Sequence, residues 1–157
     1  MDEQIEFANP PVVEVVCGAA FTALKALRAP HLGVYWNLFR SEFPRIEEAP
    51  LLTPPPAAEI EIELSAVPPL PRVWFLTDDE NALIQLQRDR FMYNWRRQQT
   101  GTSYPRFSGI FPEFVRRITQ FKEFLLSNDL GELNFRQFEL TYVNHIASPS
   151  LHSMMDR

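Results

Sequence analysis

The chain has 157 residues, of which 45% are apolar and 22% are charged, and its formal net charge at pH 7 is −5. A chain of this length buries roughly 70% of the surface that its unfolded state exposes, so the composition indicates one globular domain and argues against disorder. The single cysteine argues against an internal disulfide and a structural zinc site, and we expect neither a metal nor a cofactor.

Two elements are predicted in the first 50 residues. A β-branched run that follows a turn signal predicts a strand over residues 12–22. Pro30 suits the first position of a helix, and apolar residues at spacings of three and four predict that this helix covers residues 30–43 and ends before Pro44. The apolar stripe of the helix consists of Leu32, Tyr35, Trp36, Phe39 and Phe43.

A proline-rich segment follows, over residues 50–71. Within it, residues 59–64 alternate glutamate with isoleucine or leucine, which is the pattern of a half-buried strand. The surrounding prolines favour placement at a sheet edge or in a semi-rigid loop, because proline cannot donate to a sheet ladder. The row of glutamates is open to two interpretations, a docking face or a solvated edge, and repulsion between the like charges favours the solvated edge.

Three strands are predicted in the middle of the chain. The runs 72–76 and 82–87 are rich in strand-forming residues, and the short acidic turn between them predicts a β-hairpin. Residues 90–95 are expected to form a third strand or to extend the second one past a bulge near Asp89.

A long helix and a final strand are predicted after residue 105. Apolar residues at spacings of three and four predict the helix over 106–128. Pro112 is expected in its first turn, so that the regular part begins near residues 108–109, and Gly131 is expected to cap its end. The last strand covers residues 135–146, with apolar residues on one face.

These elements predict an α+β fold. We expect an antiparallel sheet of about five strands that carries two amphipathic helices, in the order β-α-β-β-β-α-β. The domain should extend over residues 1–146, and residues 147–157 are expected to be a frayed tail because they show no periodicity.

Four motifs occur in an order that resembles a known protein family. They are NPPVVEVV at residues 9–16, QLQRDRFMYNWR at 85–96, YPRF at 104–107 and ELTYVNHI at 139–146. The chain is similar in these motifs to a family of sporadically distributed prokaryotic proteins that have no assigned activity. Members are usually longer and continue past the last motif, so the resemblance implies that this chain corresponds to their N-terminal half. The resemblance implies an accessory role and supplies no catalytic residue.

Basic residues are concentrated in the middle of the chain. Residues 88–122 contain 8 basic and 2 acidic side chains, whereas residues 1–87 contain 5 basic and 13 acidic ones. Guanidinium groups match phosphates and aromatic rings stack on unpaired bases, so this segment has the chemistry of single-stranded nucleic-acid contact. The alternative is that its arginines are solvated and its aromatic residues lie in the core, which the net negative charge of the chain favours. The candidate binding residues are Arg88, Arg90, Tyr93, Trp95, Arg96, Arg97 and Arg106.

The glutamines of the QLQRDR sequence form a second candidate feature. If residues 85–90 are one extended strand, then Gln85, Gln87 and Asp89 share one face, and the even-numbered residues, Arg90 among them, share the other. The glutamine face is predicted either to line a polar cleft or, as we favour, to be an ordinary hydrated face with cross-strand hydrogen bonds.

An enzymatic role has weak support in the sequence. Asp89, Glu139 and His145 offer the carboxylate and imidazole groups of an acid-base or metal site, but nothing in their spacing brings them together. The chain contains no phosphate-binding loop, paired-histidine spacing or nucleophile elbow.

We therefore predict a non-enzymatic protein-interaction or regulatory domain that binds a protein partner or self-associates. Trp74, Tyr93 and Trp95 are its candidate interface anchors, because aromatic residues are enriched at such positions. Single-stranded nucleic-acid binding is the second hypothesis and hydrolysis is the third. No apolar run approaches the roughly 20 residues that cross a bilayer, so we expect a cytoplasmic protein that has no membrane partner.

Overall fold

The structure is a computed structural model that describes residues 10–52, 70–98 and 102–146. In these ranges the chain forms six strands and two helices, and the predicted α+β class is confirmed. The elements are β1 (Val12–Phe21), α1 (Ala29–Trp36), β2 (Arg45–Ala49), β3 (Arg72–Leu76), β4 (Ala82–Gln87), β5 (Arg90–Arg96), α2 (Arg106–Ser127) and β6 (Phe135–Asn144). All neighbouring strands are antiparallel, in the order β2-β3-β4-β5-β1-β6 across one open sheet.

The sixth strand in this count is β2, where the sequence predicts none. Its sequence, RIEEA, has one large apolar residue, and Ile46 is itself exposed, so no alternating pattern marks it as a strand. Pairing with β3 alone holds it at the edge of the sheet. The strand predicted over 59–64 and the tail predicted over 147–157 lie outside the described residues.

Helix α1 is shorter than predicted, because it ends at Trp36 and not at Phe43. After Trp36 several backbone hydrogen bonds span three residues instead of four, as between the N–H of Phe39 and the carbonyl of Trp36 (3.0 Å). The chain therefore continues as tight turns that do not extend the α-helix. The predicted apolar stripe still points inward, since both Phe39 and Phe43 are buried.

Helix α2 begins at Arg106, as predicted, but it is regular from there and not only from residues 108–109, and Pro112 therefore lies inside the helix and not in its first turn. The end of the helix also differs from the prediction, because Asp129 and not Gly131 takes the left-handed position after the cap (φ 53°). The backbone N–H of Leu130 donates to the carbonyl of Leu125 at 2.9 Å, which is the hydrogen bond of a Schellman motif. Leu130 is buried, so the motif directs the chain back into the core.

Both helices pack on one face of the sheet. The strand registers place Phe21, Phe75 and Phe91 on this face, where they meet the aromatic side chains of the helices. At the centre, the ring centroid of Phe121 on α2 lies 5.0 Å from that of Tyr35 on α1. Because α2 packs on β5 and β1, the outermost strand β6 lies beside the helix and not beneath it.

The turn between β3 and β4 is closed by Asp79. Its carboxylate accepts hydrogen bonds from the hydroxyl of Thr77 (2.7 Å) and from the backbone and side-chain nitrogens of Asn81 (3.1 and 2.7 Å). The bond from Thr77, followed by those from Asn81, lowers the pKa of Asp79. Hydrogen bonding to the charged form therefore stabilises the hairpin in its ionised state.

Replacing Asp79 with alanine is expected to lower the free energy of unfolding at pH 7 by about 1 kcal/mol, because three hydrogen bonds to an exposed carboxylate are lost. The lowered pKa gives the sign of the pH dependence. The contribution is present above the ordinary pKa of the carboxyl group and is lost as the pH falls through the lowered value. Urea unfolding at pH 7 and pH 3 measures it, with Asp78→Ala as a control whose effect should stay within about 0.5 kcal/mol. An equal loss in both variants would contradict this role.

Candidate functional site

An apolar groove of about 640 Å³ lies between α2 and β6 on the helix side of the sheet. Helix α2 forms one wall and β6 forms the other, while β1 forms the floor with Cys17 and Gly18. The side chains that line the walls on the helix side are Phe107, Phe111, Phe114, Val115, Ile118, Thr119 and Lys122 on α2 and Phe135, Phe138 and Leu140 on β6.

The periodicities of the two elements explain why these side chains meet. Phe107, Phe111 and Val115 follow one another at intervals of four residues, so they form a ridge along one side of α2. On β6, the register places Phe138 opposite Ala19 and Leu140 opposite Cys17, both on the helix side of the sheet. Because the floor residues are small, the groove extends down to the sheet.

The walls of the groove are exposed to solvent. Phe107 is 41% exposed, Phe111 is 42% exposed and Phe138 is 63% exposed. The rings pair along each wall, with centroids 5.0 Å apart between Phe107 and Phe111 and also between Phe135 and Phe138. Water-exposed aromatic pairs on both walls of one groove are typical of a surface that binds another apolar surface.

Strand β6 adds an open sheet edge to this groove. It pairs with β1 on one side, and no strand of the described ranges pairs with its other side. Its ten residues include no proline and two charged residues, Arg136 and Glu139, so few of the usual features that block edge-to-edge association are present. The groove and the edge are contiguous and form one candidate interaction surface.

The opposite face of the sheet carries a polar network. Arg72 donates from its terminal nitrogen to Gln85 Oε1 (3.2 Å), and Gln85 Nε2 donates to Asn94 Oδ1 (2.8 Å). Asn94 Nδ2 in turn donates to Glu14 Oε1 at 2.7 Å. The network therefore connects four adjacent strands, β3, β4, β5 and β1, and Gln85 and Asn94 within it are buried.

Arg90 lies on this polar face, the same face as Gln85 and Gln87. The prediction that Arg90 and the glutamines lie on opposite faces is wrong. The prediction assumed one extended strand over 85–90, whereas Arg88 and Asp89 form a two-residue turn between β4 and β5. Arg90 is paired with Gln87 across that turn, and directly paired residues point to the same face. The prediction of a separate strand that begins at residue 90 is confirmed.

The seven candidate nucleic-acid residues do not lie on one surface. Arg90 and Arg96 lie on the polar face, whereas Tyr93 and Trp95 point to the helix side, where they are buried. Burial raises the pKa of Tyr93 to about 12. The other three are dispersed: Arg88 is in the β4–β5 turn, Arg97 donates to the Pro10 carbonyl at 3.4 Å, and Arg106 begins α2. A role for the seven residues in ligand binding stays a prediction.

Tyr93 and Trp95 are buried and so are not exposed anchors, and the groove phenylalanines occupy the exposed positions instead. A sequence signal for the groove does exist. The apolar residues of α2 span more than one narrow stripe, which indicates a helix with two apolar contacts. Trp74, the third candidate anchor, is half-buried on the polar face.

The candidate hydrolase residues lie at three separate positions along β1. The backbone carbonyl of Asp89 accepts from Phe21, Glu139 is paired with Gly18, and the backbone N–H of His145 donates to Pro11. At about 3.3 Å per residue, Gly18 and Pro11 are roughly 23 Å apart along the strand. Across the described part of the chain, no group of three histidine, cysteine, aspartate or glutamate residues is placed to hold a metal ion.

No protein-family model, curated protein or solved structure matches the chain. Among the helices that the structure describes, none is both long and apolar enough to cross a membrane.

Proposed function

We propose that the chain is a non-enzymatic protein-interaction domain that self-associates through the α2–β6 groove. The observation that carries this proposal is an apolar groove of about 640 Å³ whose two walls expose aromatic side chains to water. Removing exposed apolar surface of this kind from water is favourable, so a second protein surface that covers it binds with a gain in free energy. We also propose, from the four sequence motifs, that the chain belongs to the prokaryotic family described above and acts in the cytoplasm.

The shape of the surface favours a second copy as the occupant. A two-fold interface uses the same patch on both subunits, so the patch must be complementary to itself. The ridge of Phe107, Phe111 and Val115 lies directly beside the trough over β1 and β6. A two-fold axis along this boundary lets the ridge of each copy enter the trough of the other.

The exposed area is also sufficient for a dimer. Seven large apolar side chains in the groove or beside it are each between 41% and 63% exposed: Phe107, Phe111, Val115, Phe135, Phe138, Leu140 and Tyr142. With roughly 150–200 Å² for each side chain, they present about 500 Å² of apolar surface to water. Two copies together bury about 1,000 Å² from these side chains alone, which reaches the lower limit of a stable interface.

Replacing Phe138 with aspartate is expected to weaken self-association by at least about tenfold, because each dimer then buries two unpaired carboxylates. The side chain is 63% exposed, so the fold of the monomer should be retained. Sedimentation velocity or light scattering across a concentration series measures the effect. Phe111→Asp, on the opposite wall, should give the same result.

Leu38→Asp is the matched control. Leu38 is 53% exposed, lies outside the groove and receives the same charge. This variant should associate as the unchanged chain does. A chain that stays monomeric at high concentration, or a loss of association that is equal in Leu38→Asp, would refute the proposal.

A further inference from the structure

The polar face of the sheet contains four buried N–H donors that have no acceptor. They are Nε of Arg72, Nε of Arg90, Nε of Arg96 and the indole Nε1 of Trp74. The indole of Trp36, by contrast, donates to the carbonyl of Phe43 at 2.7 Å. Buried donors without acceptors are costly, and four of them on one face of three adjacent strands require an explanation.

The three arginines also differ from Arg45, Arg116 and Arg117 in their charge partners. Arg45, Arg116 and Arg117 each form an ion pair with a glutamate. In the described ranges, no carboxylate forms an ion pair with Arg72, Arg90 or Arg96. Burial, followed by the charge of Arg90, lowers the pKa of Arg72. Arg72 and Arg90 thus repel each other in a partly dehydrated environment.

The side chain of Trp74 holds two of these cations near each other. The guanidinium carbon of Arg72 lies 5.3 Å from the centroid of the Trp74 ring, and that of Arg96 lies 5.7 Å from it. Arg72 is further oriented by its hydrogen bond to Gln85. Cation–π contact offsets part of the repulsion and leaves the guanidinium groups ordered before any ligand arrives. Arg72 and Arg96 are half-buried, so part of each side chain is open to solvent although the Nε atoms are buried.

We propose that Arg72 and Arg96, which both contact the ring of Trp74, and Arg90, which shares a cross-strand row with Arg72, form a binding site for a phosphate group. All four unpaired atoms are donors, so the ligand must supply acceptors, and the excess of cations requires a negative charge. A phosphate group has three or more acceptor oxygens and up to two negative charges, and guanidinium groups bind it in a bidentate manner. Three glutamates share this face. Glu14 lies opposite Arg96 across the strands and accepts from Asn94, Glu47 forms an ion pair with Arg45, and Glu139 packs over Gly18.

The first test uses the unchanged protein and inorganic phosphate at constant ionic strength. In ¹H–¹⁵N spectra, the indole resonance of Trp74 and the Nε resonances of the three arginines are expected to shift in a saturable manner. The indole resonance of Trp36 should not move, because that group already has an acceptor. Absence of a saturable shift at Trp74, with sodium chloride as the reference salt, would overturn the proposal. This test requires no substitution and does not depend on the folding of a variant.

The second test compares substitutions of equal charge. Arg72→Gln and Arg96→Gln are each expected to weaken phosphate binding by about tenfold, since each removes a charged donor. Arg40→Gln is the control, because Arg40 is exposed and lies outside the polar face. It should bind as the unchanged protein does. An equal weakening in all three variants would indicate a general charge effect and would refute a defined site.

The source of the phosphate group is decided by two further ligands. Tighter binding of adenosine monophosphate than of inorganic phosphate would identify a mononucleotide, whereas tight and steeply salt-dependent binding of a single-stranded oligonucleotide would identify a polymer. Each outcome supports the phosphate site. The site and the groove lie on opposite faces of the sheet, so Phe138→Asp should still bind phosphate, and the two proposals succeed or fail independently.

Discussion

Replacing Phe121 with alanine is expected to lower the free energy of unfolding by about 3–5 kcal/mol. Phe121 has no solvent exposure, and its ring centroid lies 5.0 Å from that of Tyr35, 5.5 Å from Phe91 and 6.4 Å from Phe21. The side chain therefore joins both helices to the centre of the sheet. Truncation removes its transfer free energy and leaves a cavity that these rigid rings cannot fill.

Urea unfolding at neutral pH measures this loss, and Leu126→Ala is the control on the same helix. Leu126 is 49% exposed and lies outside the groove, so its truncation should change the free energy of unfolding by about 0.5 kcal/mol or less. Phe121→Leu should fall between the two variants. If Phe121→Ala cost no more than Leu126→Ala, Phe121 would not be the centre of the core.

Arg117 is the site of the second large effect, and here the expected result depends on the replacement. Arg117→Ala should lower the free energy of unfolding by about 3 kcal/mol, whereas Arg117→Met should be almost neutral. The side chain of Arg117 is 1% exposed and pairs with Glu42. Its guanidinium carbon also lies 4.7 Å from the ring centroid of Phe43 and 5.8 Å from that of Phe39.

The difference between the alanine and methionine replacements follows from the surroundings of Arg117 and Glu42. Methionine fills the space between the aromatic rings without the cost of burying a charge, and Glu42 is half-exposed, so water solvates its carboxylate once the arginine is gone. Alanine leaves a cavity. Equal losses for the two replacements would indicate that the ion pair, and not the packing, provides the stability.

The pH dependence of unfolding separates the contribution of the Arg117–Glu42 ion pair from that of packing. The hydrogen bond from Arg117 is the main cause that lowers the pKa of Glu42. A lowered carboxyl pKa stabilises the fold above the ordinary value of the group, and this stabilisation is lost as the pH falls through the lowered value. The acid sensitivity of the unchanged chain should therefore be reduced in Arg117→Met, as thermal unfolding between pH 3 and pH 7 would measure.

The strands that the sequence predicts correctly are those with β-branched or alternating apolar residues, such as β1 and β4. Strand β2 is missed because RIEEA has no apolar alternation, and it exists only because the edge of β3 is available. The face of Arg90 is mistaken because the prediction treats residues 85–90 as one extended strand, whereas Arg88 and Asp89 form a turn that reverses the chain.

Neither candidate site could be derived from spacing along the chain. The groove depends on which strands α2 covers, and this is decided by packing between residues far apart in sequence. The polar face brings Arg72 beside Arg90 across β4, and only the registers of β3, β4 and β5 determine that proximity. The composition shows that the chain contains phenylalanine and arginine, but it cannot show which of these side chains come together in the fold.

The position of β1 between β5 and β6 has a consequence for folding during protein synthesis. Residues of β1 are translated early, yet their partners on β6 include Asn144, which pairs with Val12. At about 5–20 residues per second, β1 waits roughly 7–26 s for this partner after it has been made. During that interval Val15 and its neighbours can pair with β5, but the other edge of β1 stays open until β6 is made, and contacts of such long range also form slowly. We therefore expect the nascent chain to depend on chaperones until β6 has left the ribosome.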